Sequence, residues 1–88
     1  MKHARKDYDR IQDPAHIIPE DEPVFLLRAQ DIVAPGVVRH WAIQAEKSGA
    51  NGDIVNAARV HAGLMVEWQT KHGCKVPDMP MPEQKKKI

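Results

Sequence analysis

The stretch from Ile54 to Trp68 constrains this chain most. Ten of its fifteen residues are apolar. Asn56, Arg59, Gly63 and Glu67 recur three or four apart, on one narrow stripe, and only His61 lies off it. A helix that packs on one neighbour carries an apolar stripe and a broad polar back. Here the proportions are reversed, which predicts a helix covered on most sides. An 88-residue chain has few other elements to cover it. The expectation is therefore self-association.

That length makes one small domain. Thirteen basic and twelve acidic side chains leave a formal charge of +1. This near-balance argues against a general nucleic-acid binder held by bulk charge. Basic residues instead gather at the ends, at Lys2, Arg5, Lys6 and Arg10 and again at Lys85, Lys86 and Lys87. The single cysteine, Cys74, cannot form an intrachain disulfide and suits a reducing compartment. No secretory leader and no run of about 18 apolar residues is present, so a cytoplasmic protein without a membrane span is expected.

Residues 1–22 read as an extended, irregular arm broken by Pro14 and Pro19. Ile17-Ile18 offers a point at which the arm can be pinned. Residues 23–73 read as the core. The run Val24-Phe25-Leu26-Leu27 after Pro23 is strand-like, with a helix start as the alternative. A strand needs a partner, and the same segment of another subunit is the easiest one. Asp31 as a cap and Pro35 in the first turn begin a helix over about 34–47. Ala34, Val38, Trp41 and Ala45 form its predicted seam. Ser48-Gly49-Ala50-Asn51-Gly52 ends it. Asp53 is expected to cap a second helix that runs to about Lys71 and stops at Gly73. The short connection predicts an antiparallel helical hairpin. Residues 74–88, with Pro77, Pro80 and Pro82 and then a lysine run, read as an extended tail. The expected class is thus mainly α: a hairpin with an extended N-terminal arm and a short β-like segment, assembled as a homo-oligomer. A single seam between two short helices supplies little apolar burial against the entropy of ordering them. Doubling the hairpin remedies that, and larger closed rings serve equally well.

Candidate site residues are few. Arg28 and Gln30 sit where the apolar run turns toward a helix N-terminus, a place suited to an anion. Arg28 can clamp a phosphate or carboxylate in bidentate fashion. Its plainer role is an ion pair with Glu20, Asp21 or Glu22. Arg39, beside Trp41, can hold a planar base by stacking and charge, although Trp41 reads first as core. Arg59 lies on the polar stripe of the second helix, facing either water or an enclosed polar pocket. Tyr8 is a further stacking candidate, and His61 reads as a core histidine. His72 and Cys74 are two apart, and nothing completes four metal ligands. No nucleophile–base pair, glycine-rich phosphate loop or catalytic carboxylate pair is present, so neither an enzyme nor a cofactor is expected.

The segment Pro19-Glu20-Asp21-Glu22-Pro23-Val24-Phe25-Leu26-Leu27-Arg28-Ala29-Gln30-Asp31 resembles the central motif of small uncharacterised proteins encoded by phages and prophages. The likeness extends more loosely over about residues 7 to 70. It implies a setting, not an activity: accessory factors of this size often act in host takeover or counter-defence. By analogy of size and architecture, the chain is expected to be a non-enzymatic oligomeric sponge for an anionic nucleotide signal in the host cytoplasm. Arg28, Gln30, Arg39, Trp41, Arg59 and Tyr8 would supply the ligand contacts. The alternatives are an inhibitor that binds a host protein and, third, a nucleic-acid accessory factor using the basic ends.

Overall fold

The computed structural model describes residues 1–8 and 13–79. Two helices dominate it. Helix α1 spans Ala34–Lys47, with Pro35 in its first turn where no amide partner is required. Asp31 begins it with its backbone carbonyl, which accepts from Ala34 N at 2.9 Å, and not with its carboxylate; Val33 holds the cap position with no side-chain cap bond. The helix closes through Ser48 N and Gly49 N, which donate back to carbonyls of the last turn, and Gly49 takes φ +86°. That left-handed conformation suits glycine, which has no Cβ to clash. Helix α2 spans Gly52–His72 and is capped by Asn51, not Asp53. The Asn51 carboxamide oxygen accepts from Asp53 N at 2.7 Å, so Asp53 provides the donor and Asn51 the cap. Gly73, at φ +85°, ends α2.

The helices pack against each other along small side chains. Ala34 and Ala42 of α1, and Val55, Ala62 and Met65 of α2, form the buried apolar core, with the three alanines fully buried. The seam of α1 is therefore Ala34-Val38-Ala42-Ala45, and Trp41 falls beside it. At 50% exposure, Trp41 is not the core residue that the sequence predicted. Alanines on both sides bring the helix axes close, and an indole in the same row would hold them apart. The segment leading into α1 lies beside the end of α2. Gln69 donates to Ala29 O at 2.8 Å and to Asp31 O at 3.1 Å. The chain after α2 returns along the same segment: Lys75 N donates to Gln30 O and Ile32 N donates to Lys75 O, each at 2.8 Å.

The described chain divides into two units, Leu27–Pro77 with both helices and Met1–Leu26 with the segment from Asp78 on. In the second unit, strand β1 (Lys2–His3) pairs in parallel with strand β2 (Pro23–Val24), Lys2 opposite Pro23 and His3 opposite Val24. The β-like segment thus finds its partner in the N-terminus of its own chain, not in another subunit as expected, and it is shorter than the apolar run. Proline starts β2, where its missing N–H costs no ladder bond. A 3-10 turn follows at Lys6–Tyr8. The Asp13 carboxylate accepts from Ile17 N at 3.3 Å and Ile18 N at 2.9 Å, which turns the arm sharply around His16, at φ 51°. Ile18 is half-buried and Ile17 exposed. Of the proline- and methionine-rich tail read over 74–88, the part from Pro80 on lies outside the described residues, as do Arg10 and Ile11 of the arm.

Candidate functional site

The three rows of side chains on α2 follow from its helical repeat. Val55, Ala58, Ala62, Met65 and Gln69, spaced three and four apart, are buried or half-buried on the α1 side. One residue earlier in each turn runs a second row: Ile54, Ala57, His61, Leu64 and Trp68. A step of one residue turns the helix by about 100°, so this row looks away from the seam, and all five members are exposed. His61 is accordingly on the surface and not in the core. The third row, one residue after the seam, carries Asn56, Arg59, Gly63, Val66 and Thr70, of which Val66 is an exposed apolar side chain. Helix α2 is therefore covered on one side only, and its greasy second row is bare.

Helix α1 repeats the plan. Val33, Val37 and Trp41 each precede a seam residue by one and each is exposed, while Arg39 and Glu46 follow seam residues by one. Arg59 of α2 meets Glu46 of α1 at 3.2 Å, with both side chains about half exposed. The polar stripe of α2 thus faces water, and Arg59 has a carboxylate partner from the neighbouring helix.

The remaining candidates are scattered. Arg28 is exposed, and Gln30 is half-buried with its carbonyl engaged by Lys75 N. Both precede α1, whereas Arg39 and Trp41 stand on its exposed sides. Tyr8 belongs to the other unit. There Arg5, in the sequence only one of several terminal charges, is the organising residue. Its guanidinium lies 4.6 Å from the centroid of the Tyr8 ring, donates to both Asp7 oxygens at 3.0 and 2.6 Å, and donates to Asp78 O at 3.2 Å. The hydrogen bond to Asp7 pushes the Arg5 guanidinium further above its already high range. The nearby Asp7 was the only sequence signal for this role, because Asp78 is 73 positions away.

A groove of about 410 Å³ in the same unit is lined by Lys2, His3, Ala4, Pro23, Val24 and Phe25. His3 Nε2 is 3.1 Å from Met1 Sδ, and its buried Nδ1 makes no hydrogen bond. Phe25, at 72% exposure, offers the groove an apolar lip. Among the described residues, no group of three or more His, Cys, Asp or Glu is placed to hold a metal ion. No helix among them is long and apolar enough to cross a membrane. Cys74 is exposed as a free thiol. No protein-family model, no curated protein and no solved structure matches this chain.

Proposed function

We propose that the chain is a non-enzymatic binding protein that works as a homo-oligomer of antiparallel helical hairpins and holds a small anion of the nucleotide kind. One observation carries the reading: the second apolar row of α2 and the Val33-Val37-Trp41 ridge of α1 are exposed together. The antiparallel arrangement draws on the start of α1 lying beside the end of α2, with four residues joining the other ends.

Arg28, Arg39 and Arg59 are all exposed, as a phosphate clamp requires. Arg59 would exchange Glu46 for the ligand. A surface pair of this sort is worth only about 0–1 kcal/mol, so the exchange is cheap. Gln30 is the weaker member of the set for its partial burial, and Trp41, on the side of α1 away from Arg39, and Tyr8, in the other unit and under Arg5, do not join it. Resemblance of the Pro19–Asp31 segment to phage-encoded proteins supplies the proposed setting: capture of a nucleotide signal as counter-defence in a bacterial cytoplasm.

The test is a thermal-shift screen against linear and cyclic nucleotides. A ligand at a hundredfold excess over its Kd stabilises the fold by about 2.7 kcal/mol. Arg39→Ala and Arg59→Ala should each shrink the shift. If no nucleotide moves the melting temperature, the ligand assignment is wrong. The same bare rows also favour a second reading, inhibition of a host protein; recovery of a stoichiometric protein in place of a small molecule would select it.

A further inference from the structure

Both exposed apolar rows sit one residue ahead of their buried seams. In two helices that run in opposite directions, a step of the same sign turns both rows toward the same side of the pair. The step of opposite sign turns Arg39, Ile43 and Glu46, with Arg59, Val66 and Thr70, toward the other side. The ion pair between Arg59 and Glu46 spans that side. The hairpin therefore has one predominantly apolar face, with Val33, Val37, Trp41, Ile54, Leu64 and Trp68, and one mixed face that holds the ion pair.

We propose that the apolar face is the docking surface for a second copy of this chain, with α2 packed antiparallel on the partner subunit's α2. The proposal rests on the oligomer reading above and adds the face and the register. Ile54, Ala57, His61, Leu64 and Trp68 follow alternating spacings of three and four, the pattern of a helix–helix seam. Antiparallel pairing about a two-fold axis between positions 62 and 63 sets Ala57 against the partner subunit's Trp68, and His61 against the partner subunit's Leu64. The smallest member of the row thus meets the largest, twice, by symmetry. A two-fold interface must be self-complementary in this way.

The area is sufficient. Trp68 is 41% exposed and Trp41 50%, and Val33, Val37, Ile54 and Leu64 are about half exposed. These six leave on the order of 450 Å² of apolar surface per copy. Two copies give about 900 Å², and Ala57, His61 and the polar rim carry the total past the roughly 1,000 Å² of a specific interface. A face bearing Ala57 beside Trp68 in this register is matched in shape by itself.

The experiment is a size swap across the axis in the full chain, read by sedimentation equilibrium, with circular dichroism confirming unchanged helicity. Ala57 and Trp68 are exposed in the single subunit, so neither variant disturbs its core. Ala57→Trp sets indole against indole, and Trp68→Ala leaves a hole. Each should weaken dimerisation about tenfold or more, and the A57W/W68A double variant should return to within about threefold of wild type. An unchanged dimer in A57W would overturn the docking face. Two weakened single variants without rescue in the double would overturn the register while leaving the oligomer reading intact. A wild-type chain that stays monomeric at high micromolar concentration would overturn both.

Discussion

The alanine seam makes a demand on size that can be tested directly. Ala42 and Ala62 are both fully buried between α1 and α2. Ala62→Leu adds three heavy atoms to that space. In favour of the variant, burying three more carbons is worth roughly 2 kcal/mol at about 0.8 per methylene. Against it, the helices must separate. Interaxial distances run from about 8 to 10 Å with side-chain size, and a gap of even 0.5–1 Å forfeits a quarter to a half of each dispersion contact along the seam. The second effect acts on the whole seam and the first on one residue. Overpacking should therefore win, with a net cost of about 1–3 kcal/mol. Helix propensity enters only weakly, because leucine is close to alanine.

For a domain of this size each kcal/mol lowers Tm by about 4–8 °C. Thermal melts followed at 222 nm, at one fixed protein concentration, should then show A62L melting roughly 5–20 °C below wild type. Ala42→Leu should behave alike. The double variant should cost less than the two singles together by about 0.5 kcal/mol or more, because a seam already wedged open admits the second leucine more easily. A62L melting at or above wild type would refute the close-packed seam. Strictly additive costs would refute the shared opening.

Three further outcomes follow from single contacts. Asn51→Ala removes the acceptor for Asp53 N and should destabilise by about 1 kcal/mol in urea titration, while Asn51→Asp keeps the cap and should lose little. Gln69→Ala deprives the Ala29 and Asp31 carbonyls of their shared donor; at about 1 kcal/mol per neutral bond the loss should be about 1–2 kcal/mol, with faster hydrogen exchange at the Ile32 and Lys75 amides. Glu46→Gln breaks a half-exposed ion pair and should change stability by less than about 1 kcal/mol, a difference that 1 M salt should erase.

Local chemistry carried much of the helical pattern. Pro35 in a first turn, and Ser48-Gly49 and Gly73 as stops, set helix bounds because the backbone preferences of these residues act over one turn. The choice between Asn51 and Asp53 as cap was not local in the same sense. Both residues can cap, and the path of the four-residue connection decides which one faces a free amide. Trp41 shows the limit of periodicity. Rows containing Trp41 or Ala42 fit the helical repeat equally well, and greasiness favours tryptophan. Only the close approach of two alanine-lined helices places Ala42 inside and the indole outside.

The same reasoning separates the two halves of the site. An apolar excess on α2, and the presence of Arg39 and Arg59 on helices, were legible in the chain itself, since composition and spacing are properties of a single segment. Which side of the hairpin each residue occupies was not, because a face is defined by two helices and their mutual direction. β2 pairs with residues about twenty positions away, and Arg5 meets Asp78 from the far end of the chain. Composition alone determined that this chain has a helical core and more apolar surface than its polar stripe can separate. Tertiary packing decided which part of the surplus is hidden: Ala34, Ala42 and Ala62 fill the seam, while Trp41, Ile54 and Leu64 stay exposed, because helices that meet at alanine leave little room between them for larger side chains.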